Sequence, residues 1–128
     1  MRRIIPLVLL GLLAACTTTP PQTPKRFDVF FQVGSSKLTP EGQVVVDTIA
    51  AQVRDVTPSS VEVEGQADGT APKDALLADQ RATAVTSALK GAGVDPAKIA
   101  QHAALALPAQ TDMATHVSTH KVTVQLLP

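Results

Sequence analysis

The sequence has no tryptophan and no tyrosine, and Phe27, Phe30 and Phe31 are its only large aromatic side chains. Basic and acidic residues each number 11. Balanced charge and so little stacking surface leave out the footprint of a nucleic-acid binder. Cysteine occurs once, at Cys16, so the chain closes no disulfide on itself. Stability must then come from packed Val, Leu, Ile and Ala. The longest apolar run, Ile4 to Ala15, falls short of the ~20 residues that span a bilayer. No serine or cysteine stands with a partnered base, which argues against an enzyme, and no cofactor is implied.

That apolar run follows Met1-Arg2-Arg3 and ends in Leu13-Ala14-Ala15-Cys16. A basic start, a short apolar stretch and small residues before a cut site read as a secretory signal over residues 1–15. Leu13-Ala14-Ala15-Cys16 also resembles a bacterial lipobox. The resemblance implies cleavage before Cys16 and acylation of its sulfur, and two or more acyl chains hold a protein stably on a membrane. Thr17 rather than an aspartate follows the cysteine. By resemblance to enterobacterial sorting this favours the outer membrane, with the folded part in the periplasm. Residues 17–26 read Thr-Thr-Thr-Pro-Pro-Gln-Thr-Pro-Lys-Arg. Rich in proline and with nothing apolar to bury, they form with Cys16 a tether over residues 16–26. At about 3.1 Å per residue in a polyproline II conformation it reaches roughly 30 Å. The remaining residues, 27–128, have the length of one domain.

Within that domain Phe27, Val29, Phe31 and Val33 alternate with polar neighbours and Phe30, predicting a strand that Gly34-Ser35-Ser36 ends. Thr39-Pro40-Glu41 is a helix start: a capping hydroxyl, proline in the first turn and an acid near the positive dipole end. Val45, Ile49, Val53 and Val56 then recur as a core-facing stripe. Val61, Val63 and Gly65 alternate with Glu62, Glu64 and Gln66, predicting a second strand whose glutamates lie on a solvated or edge face. A polar loop from Ala67 to about Lys73 leads to a second helix, with Ala78, Ala82, Val85 and Leu89 facing inward and Gly91 and Gly93 signalling its end. Residues 95–99 predict one short helical turn. Ala103, Leu105 and Leu107 suggest a weak third strand broken by Pro108, residues 109–118 a loop, and Val122, Val124 and Leu126 a last strand. The order is β-α-β-α-β-β: an α/β sandwich, a mixed sheet with both helices on one face.

Three stretches of these elements carry a further signal. They are Phe30-Phe31 with Ser35-Ser36-x-Leu38-Thr39-Pro40-Glu41-Gly42, the run from Val61 through Gly65-Gln66-Ala67-Asp68, and Arg81-Ala82-x-x-Val85-x-x-x-Leu89-x-x-x-Gly93-Val94. In this order they resemble the first strand and helix start, the Gly-His-(Thr or Ala)-Asp strand end and the second-helix motif of the outer membrane protein A C-terminal-like domain family. The resemblance covers about residues 27–127. It implies a pocket for the diaminopimelate-containing stem peptide of peptidoglycan. Asp68 matches the aspartate that would take the ligand's ammonium. Arg81 matches the arginine that would take its carboxylate, a task suited to a planar fork of donors. Gln66 and Ala67 would border the pocket. Asp74 stands where the family usually has asparagine, and the loop between Asp68 and Arg81 is two residues shorter than usual. Plainer roles stay open: Asp68 ending a strand beside Gly69, Arg81 as a solvated helix residue, or the two paired with each other.

Two functions follow. The first is a non-enzymatic outer-membrane lipoprotein that binds peptidoglycan and tethers the membrane to the wall. The alternative is a lipoprotein subunit of an envelope-spanning secretion or conjugation machine of type IV kind. There the same fold would serve contacts with envelope or secretion-complex proteins, as the short tether and Asp74 favour. His116 and His120 have the spacing of a helical zinc pair, but β-branched neighbours and the lack of a nearby acid argue against a metal site.

Overall fold

The computed structural model describes residues 23–67, 72–106 and 120–128. The signal segment, Cys16 and most of the tether lie outside the described residues, as do Asp68, Leu107, Pro108, the 109–118 loop and His116. The elements run β1 (Lys25–Phe30), α1 (Pro40–Val56), β2 (Ser60–Ala67), α2 (Pro72–Gly91), a 3-10 turn (Pro96–Lys98), β3 (Ile99–Ala106) and β4 (Lys121–Leu127). The four strands form one mixed sheet in the order β1-β4-β2-β3. β4 is antiparallel to both β1 and β2, and β2 is parallel to β3. This is the expected order and architecture, with α2 as the crossover of a parallel β-α-β unit.

Period-2 alternation assigns the faces. Val61 and Val63 on β2, Val122 and Val124 on β4, and Val29 on β1 are fully buried against the helices. From α1 they meet Val46, Ile49, Ala50 and Val53, and from α2 Ala82, Val85 and Leu89. The α1 stripe is therefore turned one residue from the expected one: Val46 is in the core, whereas Val45 and Val56 are only partly buried. Positions 46, 49, 50 and 53 give the i, i+3, i+4, i+7 pattern of a helix seated on a sheet.

The helix start at Thr39 forms as predicted. Its Oγ1 accepts from the Gly42 N–H at 3.0 Å, with Pro40 in the first turn. At the end of α2, Gly93 takes φ 96°, the Val94 N–H donates to the Leu89 carbonyl and the Gly93 N–H to the Lys90 carbonyl. That pair of bonds is a Schellman cap.

Three boundaries differ from expectation. β1 begins at Lys25, so Lys25 and Arg26 pair with Leu126 and Gln125 instead of belonging to the tether. It also stops at Phe30, because the chain turns at residues 32–35. There the Ser35 N–H donates to the Gln32 carbonyl at 3.1 Å and Gly34 takes φ 68°, a turn that needs a residue free to adopt positive φ. Phe31 stays buried, while Val33 swings out to 77% exposure. β3 starts at Ile99, well before Ala103. Its local propensity is poor, and it is a strand because β2 offers a parallel ladder from the Val61–Ile99 pair onward.

Candidate functional site

α2 can sit where it does because Gly65 has no side chain. A Cβ at Gly65 would lie 2.3 Å from the Ala78 carbonyl oxygen. This close approach of helix to strand carries Arg81, one turn further on, into the end of the core. Arg81 is only 2% exposed and is the largest fully buried side chain among the described residues. Its Nε donates to the Ser35 carbonyl at 2.8 Å, and an Nη donates to the Gln32 carbonyl at 3.0 Å. The guanidinium lies 5.7 Å from the centre of the Phe31 ring, within range of a cation–π attraction. Arg81 thus clamps the turn after β1 from beneath.

Beside the clamp opens a pocket of about 330 Å³. Val33 and Gly34 of the clamped turn form one wall, Lys73, Asp74, Leu77 and Arg81 of α2 another, and His120 a third. The backbone carbonyl of His120 accepts from the Phe31 N–H at 2.8 Å, which fixes the start of β4 against the turn. The pocket holds cations and an anion together: Lys73 and Arg81 with Asp74. An acid in the first turn of α2 also suits the helix dipole.

Of the expected site residues, Arg81 and Asp74 meet in this pocket. Asp68 lies outside the described residues. Ala67 is buried on the helix side of β2. Gln66 does not border the pocket. Strand alternation turns it to the opposite face of the sheet, where its amide donates to Thr123 Oγ1 at 3.4 Å. The sequence reading missed Lys73, Leu77, Val33 and Gly34 as pocket walls. The signal was available: with Pro72 taken as the first helical residue, Lys73, Leu77 and Arg81 fall at i, i+4 and i+8 on one face. His120 lies in the bend just before β4, and His116 lies outside the described residues.

The far face of the sheet is polar. Thr123 donates to Asp28 at 3.0 Å, and Asp28 also faces Lys121 and Arg26 at 3.4 and 3.7 Å. Glu62 is hydrogen-bonded by His102 from β3 and by Ser60 Oγ at 2.7 Å. β2 is a central strand, so this is a solvated face and not an edge. The His102 bond first, and the Ser60 bond second, hold the Glu62 carboxyl below its ordinary value of 4.5. A carboxyl depressed in the folded state stabilises the fold above that ordinary value and loses its contribution as pH falls through the depressed one. Unfolding measured against pH is therefore expected to show an acid loss of stability below about pH 4.5 that Glu62→Gln reduces. An unchanged acid limb in the variant would remove Glu62 from this role.

Residues 30–121 match the OmpA family. Over 74 residues the chain is 34% identical to outer membrane protein A of Bordetella avium; the match takes in 56% of this chain but only 38% of that relative. Among solved structures, the peptidoglycan-associated lipoprotein from Burkholderia pseudomallei superimposes with a TM-score of 0.66 at 23% identity, over 78% of this chain and 88% of that one. The OmpA-like domain of FopA1 from Francisella tularensis gives 0.64 at 22%, over 82% and 73%. The periplasmic domain of Helicobacter pylori MotB gives 0.66 at 16%, over 81% and 74%. At these identities the structures speak for the fold alone, whereas the family match takes in most of the chain, from the end of β1 to the start of β4: the protein belongs to the OmpA family.

Proposed function

We propose that this protein is a non-enzymatic outer-membrane lipoprotein, acylated at Cys16, whose domain binds peptidoglycan and tethers the membrane to the cell wall. One observation carries the reading. The family's second-helix arginine, Arg81, opens into a pocket that also holds Asp74 and Lys73. A diaminopimelate stem ends in an ammonium and a carboxylate on one carbon, and such a head needs an anion and a cation side by side. Arg81 and Lys73 supply positive charge for the carboxylate, and Asp74, with Asp68, which follows Ala67 in the sequence, negative charge for the ammonium. Leu77 and Val33 give apolar walls to the methylene stem.

The test is co-sedimentation of residues 23–128, which contain every core side chain described above, with purified sacculi. The unaltered domain is expected to pellet, and Asp68→Ala to stay in solution while keeping its melting temperature. Failure of the unaltered domain to pellet would sink the wall-binding reading and turn the assignment to a lipoprotein subunit of an envelope-spanning machine. Labelled palmitate entering the full chain but not Cys16→Ala tests the anchor separately.

A further inference from the structure

Resting on the Cys16 anchor of that reading, we infer that the end of the domain from which the tether leaves is a surface for anionic lipid headgroups, with the pocket turned away from the membrane. Lys25, Leu126, Val61 and Ile99 lie in one row across the four strands. β1 starts in this row, so the tether leaves here. The pocket walls Val33, Gly34 and His120 lie just beyond the far end of β1 and the start of β4. Residues 16–24 can span at most about 31 Å. A domain of about 100 residues is roughly 34 Å across, from a radius of gyration near 13 Å. The tether is therefore too short to let the domain invert over the membrane.

Both helices also finish at the tether end. Lys25 Nζ donates to Gln52 Oε1, near the end of α1, at 2.7 Å, and Arg54 Nη1 donates to the Ala92 carbonyl, just past α2, at 3.4 Å. With Lys90 in the last turn of α2 and Lys98 just before β3, four cations from four parts of the chain share this end. Two carboxylates stand with them, Asp55 and Asp95, and Asp95 accepts from the Ala97 N–H at 2.9 Å. One step inside the row, Glu62 is held by His102 and Ser60, and Arg26 faces Asp28. None of the four cations makes an ion pair among the described residues. The helix dipole favours Arg54 and Lys90 where they stand, but it gives Lys25, on a strand, no such reason. Residues 17–24 bring no charge to offset the excess. The phosphates of anionic lipids do offset it, and each basic residue held at such a surface strengthens binding about fivefold.

The experiment couples residues 16–128 to a maleimide lipid through Cys16, the one thiol of the chain. Bilayer discs carry a gadolinium-chelating lipid and either phosphatidylglycerol mixed into phosphatidylcholine or phosphatidylcholine alone, and relaxation of the isotope-labelled backbone amides is read by nuclear magnetic resonance. On the anionic discs the amides of Lys25, Arg54, Lys90 and Lys98 are expected to relax fastest, and those of Val33, Gly34 and Lys73 slowest. Phosphatidylcholine alone, or Lys90→Gln with Lys98→Gln on the anionic discs, is expected to reduce membrane contact at the tether end by about fivefold or more. Equal relaxation at the two ends would overturn the inference, as would a profile that neither the neutral lipid nor the double variant alters. The coupling supplies the anchor chemically, so these results stand apart from the palmitate test. A Cys16 that takes no palmitate would remove the anchor and this inference with it.

Discussion

Arg81→Ala is expected to abolish sedimentation with sacculi and to lower stability by about 3 kcal/mol in chemical denaturation. The side chain is buried and bonds two backbone carbonyls of the turn after β1. Its removal takes charge-assisted bonds of roughly 1.5–3 kcal/mol each from Ser35 and Gln32, and the Phe31 ring loses the cation stacked over it. Domains of this size are stable by only about 5–15 kcal/mol, so the loss is large yet survivable. Because the clamp and the proposed ligand site share one guanidinium, the turn carrying Val33 and Gly34 should loosen as binding fails. Arg81→Lys keeps the charge but not the fork and should fall between. Full stability in Arg81→Ala would show that the clamp does not hold the turn.

The second large effect is at Gly65. An alanine Cβ there would stand 2.3 Å from the Ala78 carbonyl oxygen and 2.9 Å from its carbon. Both are backbone atoms, so no rotamer relieves the clash and α2 must lift from β2. Overpacking costs about 1–3 kcal/mol even where side chains can yield, and Gly65→Ala is expected at or above the top of that range. Gly42→Ala is the control. Its nearest neighbours are Leu38 Cδ1 at 2.9 Å, the end of a flexible side chain, and the capping Thr39 Oγ1 at 3.2 Å, which need shift by only a few tenths of an ångström. Alanine there also gains helix propensity of about 1 kcal/mol, so a net change near zero is expected. Equal midpoints for the two variants would mean that the approach of helix to strand is not tight.

What local chemistry determines was legible in the chain. Thr39-Pro40-Glu41 starts α1, Gly93 ends α2, and the alternation of Val61, Val63 and Gly65 sets the inward face of β2, because each rests on neighbours a few residues away. What the fold determines at long range was not. The length of β3 comes from its ladder on β2. The turn of the α1 stripe from Val45 to Val46 comes from how that helix lies in the core. The site divides in the same way. Arg81 and Asp74 were visible as motif residues. Gln66 and Ala67 are successive strand residues, and alternation sends their side chains to opposite faces of the sheet. Val33 joined the pocket only because the chain turns at Gly34, and Lys73 because α2 begins at Pro72.

The most direct measurement is a nuclear magnetic resonance titration of labelled residues 23–128 with diaminopimelate. Shifts that saturate at Gly34, Lys73, Asp74, Leu77 and Arg81, with Glu62, Gln66 and Thr123 unmoved, are the expected result. Shifts centred on the open face of the sheet, or none at all, would contradict a wall-binding site beside Arg81.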